Sequence, residues 1–223
     1  MSINSTIVAL VSQKGGVGKS TLSRGFAREA AKNGLSVKIA DLDTQQGTCV
    51  DWNRTRLEKG VEPVIAVEAF ATAAQALKIS GQYDLLIIDG PARASAGTLE
   101  IAKVANLVVQ PSGASNDDLR PAVKEFHALV KAGIPKEKLV FALSRIGTLA
   151  EEAAARAYIE EAGYAVLDGC LFERPAYRQA HNSGRSVTET YYKNLNEQAD
   201  ALIQALIDKI GDENGERNEA KTA

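Results

Sequence analysis

An apolar, β-branched run, "TIVALV" (6 to 11), opens directly into the glycine-rich stretch "SQKGGVGKST" (12 to 21). This junction constrains the fold more than any other part of the chain. A strand that feeds a glycine turn into a helix start gathers backbone N–H groups around one point. The helix dipole lies behind them, and the result is a nest for an anion. Gly15, Gly16 and Gly18 permit the turn, with Val17 inside it, and the helix begins at about Lys19. Lys19 can reach outer phosphates, the Ser20 hydroxyl can hold a magnesium ion, and Thr21 stands near the inner phosphates. Lys14 is different: lying ahead of the first glycine, it points away from its own nest and can reach only a nucleotide held by a neighbouring molecule. That placement implies a dimer.

Further short apolar runs follow at "SVKIA" (36 to 40), "VIAV" (64 to 67), "DLLIID" (84 to 89), "NLVVQ" (106 to 110) and "LVFAL" (139 to 143). Each suits a strand buried on both faces. Helical spacing separates most of them. In "STLSRGFAREAAKNG", Leu22, Phe26 and Ala30 recur at four-residue steps until Gly34. Strand and helix in alternation predict an α/β fold, a mostly parallel twisted sheet flanked by helices on both faces. Later segments predict helices at "EEAAARAYIEEAG" and "NLNEQADALIQALIDKI", a short strand near "YAVLD", and a loop at "GCLFERPAYRQA". One domain over 1–210 and a polar, disordered tail over 211–223 complete the expected organisation.

Charge and cysteine content remove several classes. A formal net charge of -2 gives no global attraction to nucleic acid or anionic lipid, so such binding needs a local patch. Cys49 and Cys170 form neither a metal knuckle nor a C-x-x-C pair and read as reduced thiols. The start lacks a secretory pattern and no 18-residue apolar run occurs, which predicts a cytoplasmic protein. Arg24 and Arg28, with Glu29 and Lys32, are expected to form a solvated stripe on the first helix. Trp52 is expected to pack its helix on the sheet, and His127 and His181 to have no part in chemistry.

The segment "KGGVGKST" resembles the deviant phosphate loop of ParA and MinD type ATPases, and most closely that of the small partition ATPases. The resemblance runs from about Thr6 to Ile210. It implies a P-loop NTPase fold, ATP and Mg2+ as cofactors, weak intrinsic hydrolysis and a homodimer in the ATP state, with Lys14 contacting the partner's nucleotide. "IADLDTQQGTCVDW" resembles the family's D-x-D-P-Q-G stretch, which places Asp41 near magnesium and makes Asp43 the residue that orients the attacking water. Here Thr44 replaces the usual proline and Gln46 precedes the glycine. "YDLLIIDGPA" ends an apolar strand in Asp89, a Walker B carboxylate on magnesium, with Gly90 and Pro91 as a flexible second switch. Capping of turns or helices is the alternative for all three aspartates. "VVQPSGASNDDLRPA" resembles the dimer-face segment, whose helix is capped by Ser115 or Asn116. Ser144 and Arg145 in "ALSRIG", and Arg174 and Pro175 in "FERPAY", take the places of the family's adenine-side residues.

The resemblance implies partition of a plasmid or chromosome by nonspecific DNA binding, with a ParB-like or adaptor partner that stimulates hydrolysis. It also implies nucleoid association in the ATP state. Arg174, Arg178, Arg185 and Lys193 are the candidate DNA contacts, with ordinary solvated charges as the alternative reading. Other readings are positioning of a protein cargo, such as a carboxysome or chemoreceptor cluster, or a MinD-like membrane role. The polar end after "ALIQALIDKI" disfavours insertion into lipid. A metabolic reductase or ligase on the same scaffold would need cysteines or motifs that Cys49 and Cys170 do not supply.

Overall fold

The computed structural model describes residues 5–92 and 96–222; residues 1–4 and 223, the outer ends of the expected domain and tail, lie outside the described residues. In chain order the elements are β1 (Thr6–Ser12), α1 (Lys19–Lys32), β2 (Val37–Asp41), α2 (Thr48–Glu58), β3 (Ala66–Ala69) and α3 (Ala73–Leu77). They continue with β4 (Leu85–Ala92), α4 (Ala96–Val104), β5 (Leu107–Ser112), α5 (Asn116–Lys131), β6 (Leu139–Ile146) and α6 (Leu149–Glu161). Last come β7 (Ala165–Val166), β8 (Leu171–Phe172), α7 (Pro175–Asn182) and α8 (Lys193–Thr222). The strands form one sheet in the order β3-β2-β4-β1-β5-β6-β7, with β8 paired to β6. Every recorded pairing among the described residues is parallel.

The strand pleat explains how short apolar runs make two cores. Val8 and Leu10 of β1, Leu85 and Ile87 of β4, and Val140 and Ala142 of β6 pack on one face with α1, α2 and α8. Their neighbours Ala9, Val11, Leu86, Ile88, Phe141 and Leu143 pack on the other face with α4, α5 and α6. Both faces being covered, the sheet has its open crevice at the carboxyl ends of β1, β2, β4 and β6, where ligands of such sheets bind.

Several local expectations are corrected. The segment "GCLFERPAYRQA" is not a loop but holds β8 and α7. Pro175 starts α7, where its missing N–H costs nothing, and Ala176, Tyr177 and Ala180 bury one face of that helix. The third strand lies two residues later than "VIAV", because Ile65 is buried in the core ahead of the pairing at Ala66. Helix α8 extends to Thr222. Gly90 and Pro91 lie within β4 instead of forming a separate switch loop. A Cβ on Gly90 would stand 2.7 Å from the Leu10 carbonyl oxygen, so the side chain is absent for close packing against β1.

The expected solvated stripe on α1 is also overturned: Arg24 and Glu29 are buried. Arg24 donates to the Thr48 carbonyl, and Arg28 pairs with Glu29 and, at 3.2 Å, with Glu189. Trp52 is buried as expected, and Arg24 and Arg56 lie 5.4 Å and 5.5 Å from its ring. Its indole N–H donates to the Arg185 carbonyl at 3.0 Å.

Candidate nucleotide and metal site

The phosphate loop spans the gap between β1 and α1. Gly18 occupies the N-cap of α1 at φ 112 and offers no side-chain cap, which leaves the first helical N–H groups for a ligand. A Cβ there would lie 2.6 Å from Ser144 Oγ, so the loop is seated on the end of β6. Lys19 is buried and its Nζ donates to the Lys14 carbonyl at 3.5 Å. Burial lowers its pKa, while Asp89, Asp43 and Glu125 pull it back up. Glu125, on α5, accepts from the Gln13 N–H at 3.1 Å and from Gln110 Nε2 at 2.8 Å, fastening the loop's entrance to the helix beneath.

The acidic side is built by register. Asp41 and Asp89 are directly paired on adjacent strands β2 and β4. Asp41 accepts from the backbone N–H of Asp43 at 3.0 Å through Oδ1 and of Cys49 at 2.9 Å through Oδ2. It therefore fastens the start of α2, the capping contact that its alternative reading expects. Asp43 Oδ1 likewise accepts from the Gln46 N–H at 3.2 Å in the turn that Thr44 and Gln46 occupy. The Cys49 thiol donates to Asp89 Oδ2 at 3.1 Å. Burial pushes the Asp41 carboxyl up against the pull of the N–H groups of Cys49, Asp43 and Val50. Burial pushes Asp89 up as well, opposed by hydrogen bonding from Ser20 and Cys49. Asp89 Oδ1 is buried with no hydrogen-bond partner. A buried, unpartnered carboxylate oxygen among oxygen donors on Ser20 and Asp41 fits a hard divalent ion such as Mg2+.

A cleft of about 460 Å³ opens over these groups. Gly15, Gly16, Gly18, Lys19, Ser20 and Thr21 line one side, and Asp43, Gln46, Thr48 and Gly90 another. Asp41 and Asp89 stand behind them, almost wholly buried. Ser144 and Arg145 line the β6 end, and Arg174 and Arg178 the α7 end, whereas Pro175 lies outside the lining and Val17 faces a neighbouring recess. Arg145 adopts a left-handed backbone at φ 59, and its Nη1 donates to the Gly16 carbonyl at 3.0 Å. It therefore braces the phosphate loop. Phe172 and Tyr177, the ends of the expected adenine-side stretch 172 to 177, also line the cleft, and so does His181, which is expected to take no part in chemistry. Burial and the nearby Arg24 lower the His181 pKa to about 3, so the imidazole is neutral. The four-residue step from Tyr177 to His181 was the available signal, obscured by reading that segment as a loop.

Lys14 leaves its own nest. Its ammonium pairs with Asp118 at 2.5 Å and donates to the Asp117 carbonyl at 3.4 Å, both on α5. Ser115 caps that helix, accepting the Asp118 N–H at 3.2 Å. Burial works against the Asp118 charge, but hydrogen bonds from Lys14 and Ser115 hold its pKa below the usual value. A second recess of about 420 Å³ lies here, lined by Lys14, Val17, Ser115 and Asp118 among others. The candidate DNA residues divide: Arg174 and Arg178 line the cleft, while Arg185 lies in the connection between α7 and α8 and Lys193 begins α8. Arg185 lies 4.9 Å from the ring of the exposed Tyr191, and Lys193 pairs with Glu197 at 3.5 Å.

A parallel sheet with a phosphate loop at its central strand and a Walker B carboxylate on the strand beside it is the apparatus of a P-loop ATPase. The chain belongs to the CobQ/CobB/MinD/ParA nucleotide binding domain family, whose model (CbiA) matches residues 8–220. No curated protein sequence matches it significantly. The fold is shared with apo McdA of Cyanothece, at a TM-score of 0.71 and 17% identity over 91% of this chain and 100% of that one. It is shared with the septum site-determining protein MinD of Pyrococcus horikoshii in complex with Mg-ADP, at 0.72 and 18% over 93% and 97%. A protein described as a plasmid partition protein of Borrelia burgdorferi, bound to AMPPNP, gives 0.69 and 16% over 92% and 100%. Among the described residues no helix is long and apolar enough to cross a membrane.

Proposed function

We propose that this ATPase is a dimerising switch that partitions or positions cargo: the ATP-bound dimer holds DNA nonspecifically, and hydrolysis stimulated by a ParB-like or adaptor partner releases it. The observation that carries this reading is the direction of Lys14. A lysine meant for its own nucleotide would turn into the nest, as Lys19 does; Lys14 turns outward to an open recess beside α5. Release from Asp118 would bring its charge to a nucleotide on a second copy, which makes turnover conditional on association. Within one copy, Lys19 and the helix start neutralise the transferred phosphoryl group, and Asp43 at the cleft rim orients the attacking water. Ser20, with Asp41 and Asp89 behind it, would hold Mg2+, which supplies charge neutralisation between the phosphates.

DNA is assigned chiefly to Arg185 and Lys193, since Arg174 and Arg178 line the nucleotide cleft. In this reading the protein is cytoplasmic and joins the nucleoid when ATP-bound. The membrane alternative is disfavoured because α8 buries Leu202, Ile203 and Leu206 in the core. The test is Lys14→Ala with ATP. Equilibrium nucleotide binding should persist, while the ATP-dependent dimer in light scattering and the retardation of duplex DNA at low salt both vanish. A variant that still dimerises with ATP would remove Lys14 from a role across the interface. A wild-type dimer that ignores DNA but binds anionic vesicles would redirect the reading to a membrane.

The Lys14–Asp118 pair yields a smaller expectation. It is half exposed, so freeing the lysine changes the balance by at most about 1 kcal/mol. Asp118→Asn should therefore shift ATP-dependent association to protein concentrations lower by about two- to fivefold. Sedimentation velocity across a concentration series measures this, and unchanged or weaker association would show that the pair does not restrain Lys14.

A further inference from the structure

We propose that Asp41, Cys49 and Asp89 form a binding site for a thiophilic divalent cation of the zinc class, present in the nucleotide-free protein. One ligand atom from each of the three residues lies within 4.8 Å of the others, and all three residues are buried. A tetrahedral ion with bonds of roughly 2.0 to 2.3 Å sets its ligands about 3.3 to 3.8 Å apart, so small side-chain adjustments close the site. Its walls are rigid. Asp41 and Asp89 are paired on neighbouring strands, and Cys49 is locked in the first turn of α2 by the bond from its own N–H to Asp41. Asp89 is 2% exposed and its Oδ1 has no hydrogen-bond partner, a need that a bound cation would satisfy. Oxygen donors alone would suit magnesium, but the sulfur selects a softer ion.

Coordination replaces the bond from the Cys49 thiol to Asp89 with a sulfur–metal bond, and the thiol proton passes to water. The remaining position is free for water or the Ser20 hydroxyl. An ion seated there engages both carboxylates assigned to magnesium, so it competes with Mg-ATP. This inference stands apart from the partition reading, because it concerns the protein without nucleotide or DNA.

The experiment titrates nucleotide-free, full-length protein with Co2+ as a spectroscopic probe. Wild type and Cys170→Ser should both develop a sulfur-to-cobalt charge-transfer band saturating at one ion per chain, and Cys49→Ser should lose it. Should Cys49→Ser fail to fold, X-ray absorption at the zinc edge of the wild type decides: one sulfur at about 2.3 Å in the first shell is expected. A shell of oxygen and nitrogen only, or a cobalt band that survives in folded Cys49→Ser, would overturn the site. Saturating Mg-ATP should weaken apparent Co2+ affinity at least about tenfold by mass action. Unchanged affinity would refute the sharing of carboxylates.

Discussion

Asp89→Asn is expected to reduce Mg-ATP turnover by about a hundredfold or more while raising the melting temperature of the nucleotide-free protein. The two effects have one cause. Asp89 is 2% exposed at the end of β4, opposite Asp41, with one carboxylate oxygen bound to the Cys49 thiol and the other unpartnered. Burial raises its pKa, so the ionised group is worse solvated in the fold than in the unfolded chain. A carboxyl with a raised folded pKa opposes folding at neutral pH, and that opposition fades as pH falls through the folded value. Asparagine keeps the shape and removes the charge, which relieves the fold and leaves too little negative charge for a divalent ion. Differential scanning calorimetry and a phosphate-release assay on the same preparation check both halves. A variant that loses turnover and also melts lower would show that Asp89 stabilises the empty site.

Arg56→Met should destabilise the protein by about 3 to 5 kcal/mol, a fall in melting temperature on the order of 10 °C for a chain of this size. Arg56 is fully buried, yet every side of its guanidinium is occupied. It donates to the carbonyls of Glu62 at 2.7 Å, Pro63 at 3.1 Å and Gly184 at 3.0 Å, and pairs with Glu189 at 2.8 Å. Methionine fills much of the volume but strands three buried carbonyls and weakens the partnering of Glu189. Burial alone would raise the Glu189 pKa, but the bonds from Arg56 and from the Ser186 N–H, with the charges of Arg56 and Arg28, hold it below the usual value. Its contribution is therefore full above the ordinary glutamate pKa and is lost as pH falls through the depressed one. Denaturation profiles of wild type and Arg56→Met should converge as pH is lowered through that window. Adding Glu189→Gln should recover part of the loss; no recovery would assign the effect to the carbonyls alone.

The same network explains why some residues were misread. A run of arginines on a helix has the sequence pattern of a solvated stripe, and Arg24 and Arg28 carry that pattern. Arg24 is buried and Arg28 half-buried because α2 and the 184–189 segment, distant in the chain, bring Trp52, Glu189 and the Thr48 carbonyl to meet them. Likewise α7 was hidden because its amphipathic face is short and follows a proline and charges that resemble a loop. His181 looked isolated for the same reason. The central strands β1, β2, β4, β5 and β6, in contrast, were legible because each carries its own apolar run and both pleat faces need burial, whereas the edge strand β3 is partly exposed and the two-residue β8 is too short to carry such a run. The phosphate loop was legible because its strand, glycines, lysine and hydroxyls are contiguous.

Local chemistry thus determined the parallel α/β class, the nest of Gly15 to Thr21, and the odd placement of Lys14 ahead of it, since each depends on neighbours in the chain. Only the tertiary structure decided what meets what across that chain. Register sets Asp41 beside Asp89, α2 carries the Cys49 thiol between them, and α5 holds Lys14 outward through Asp118. Those contacts join residues 8 to 104 positions apart; a motif can assign two such residues a common role, but packing of the two sheet faces is what brings them within bonding distance.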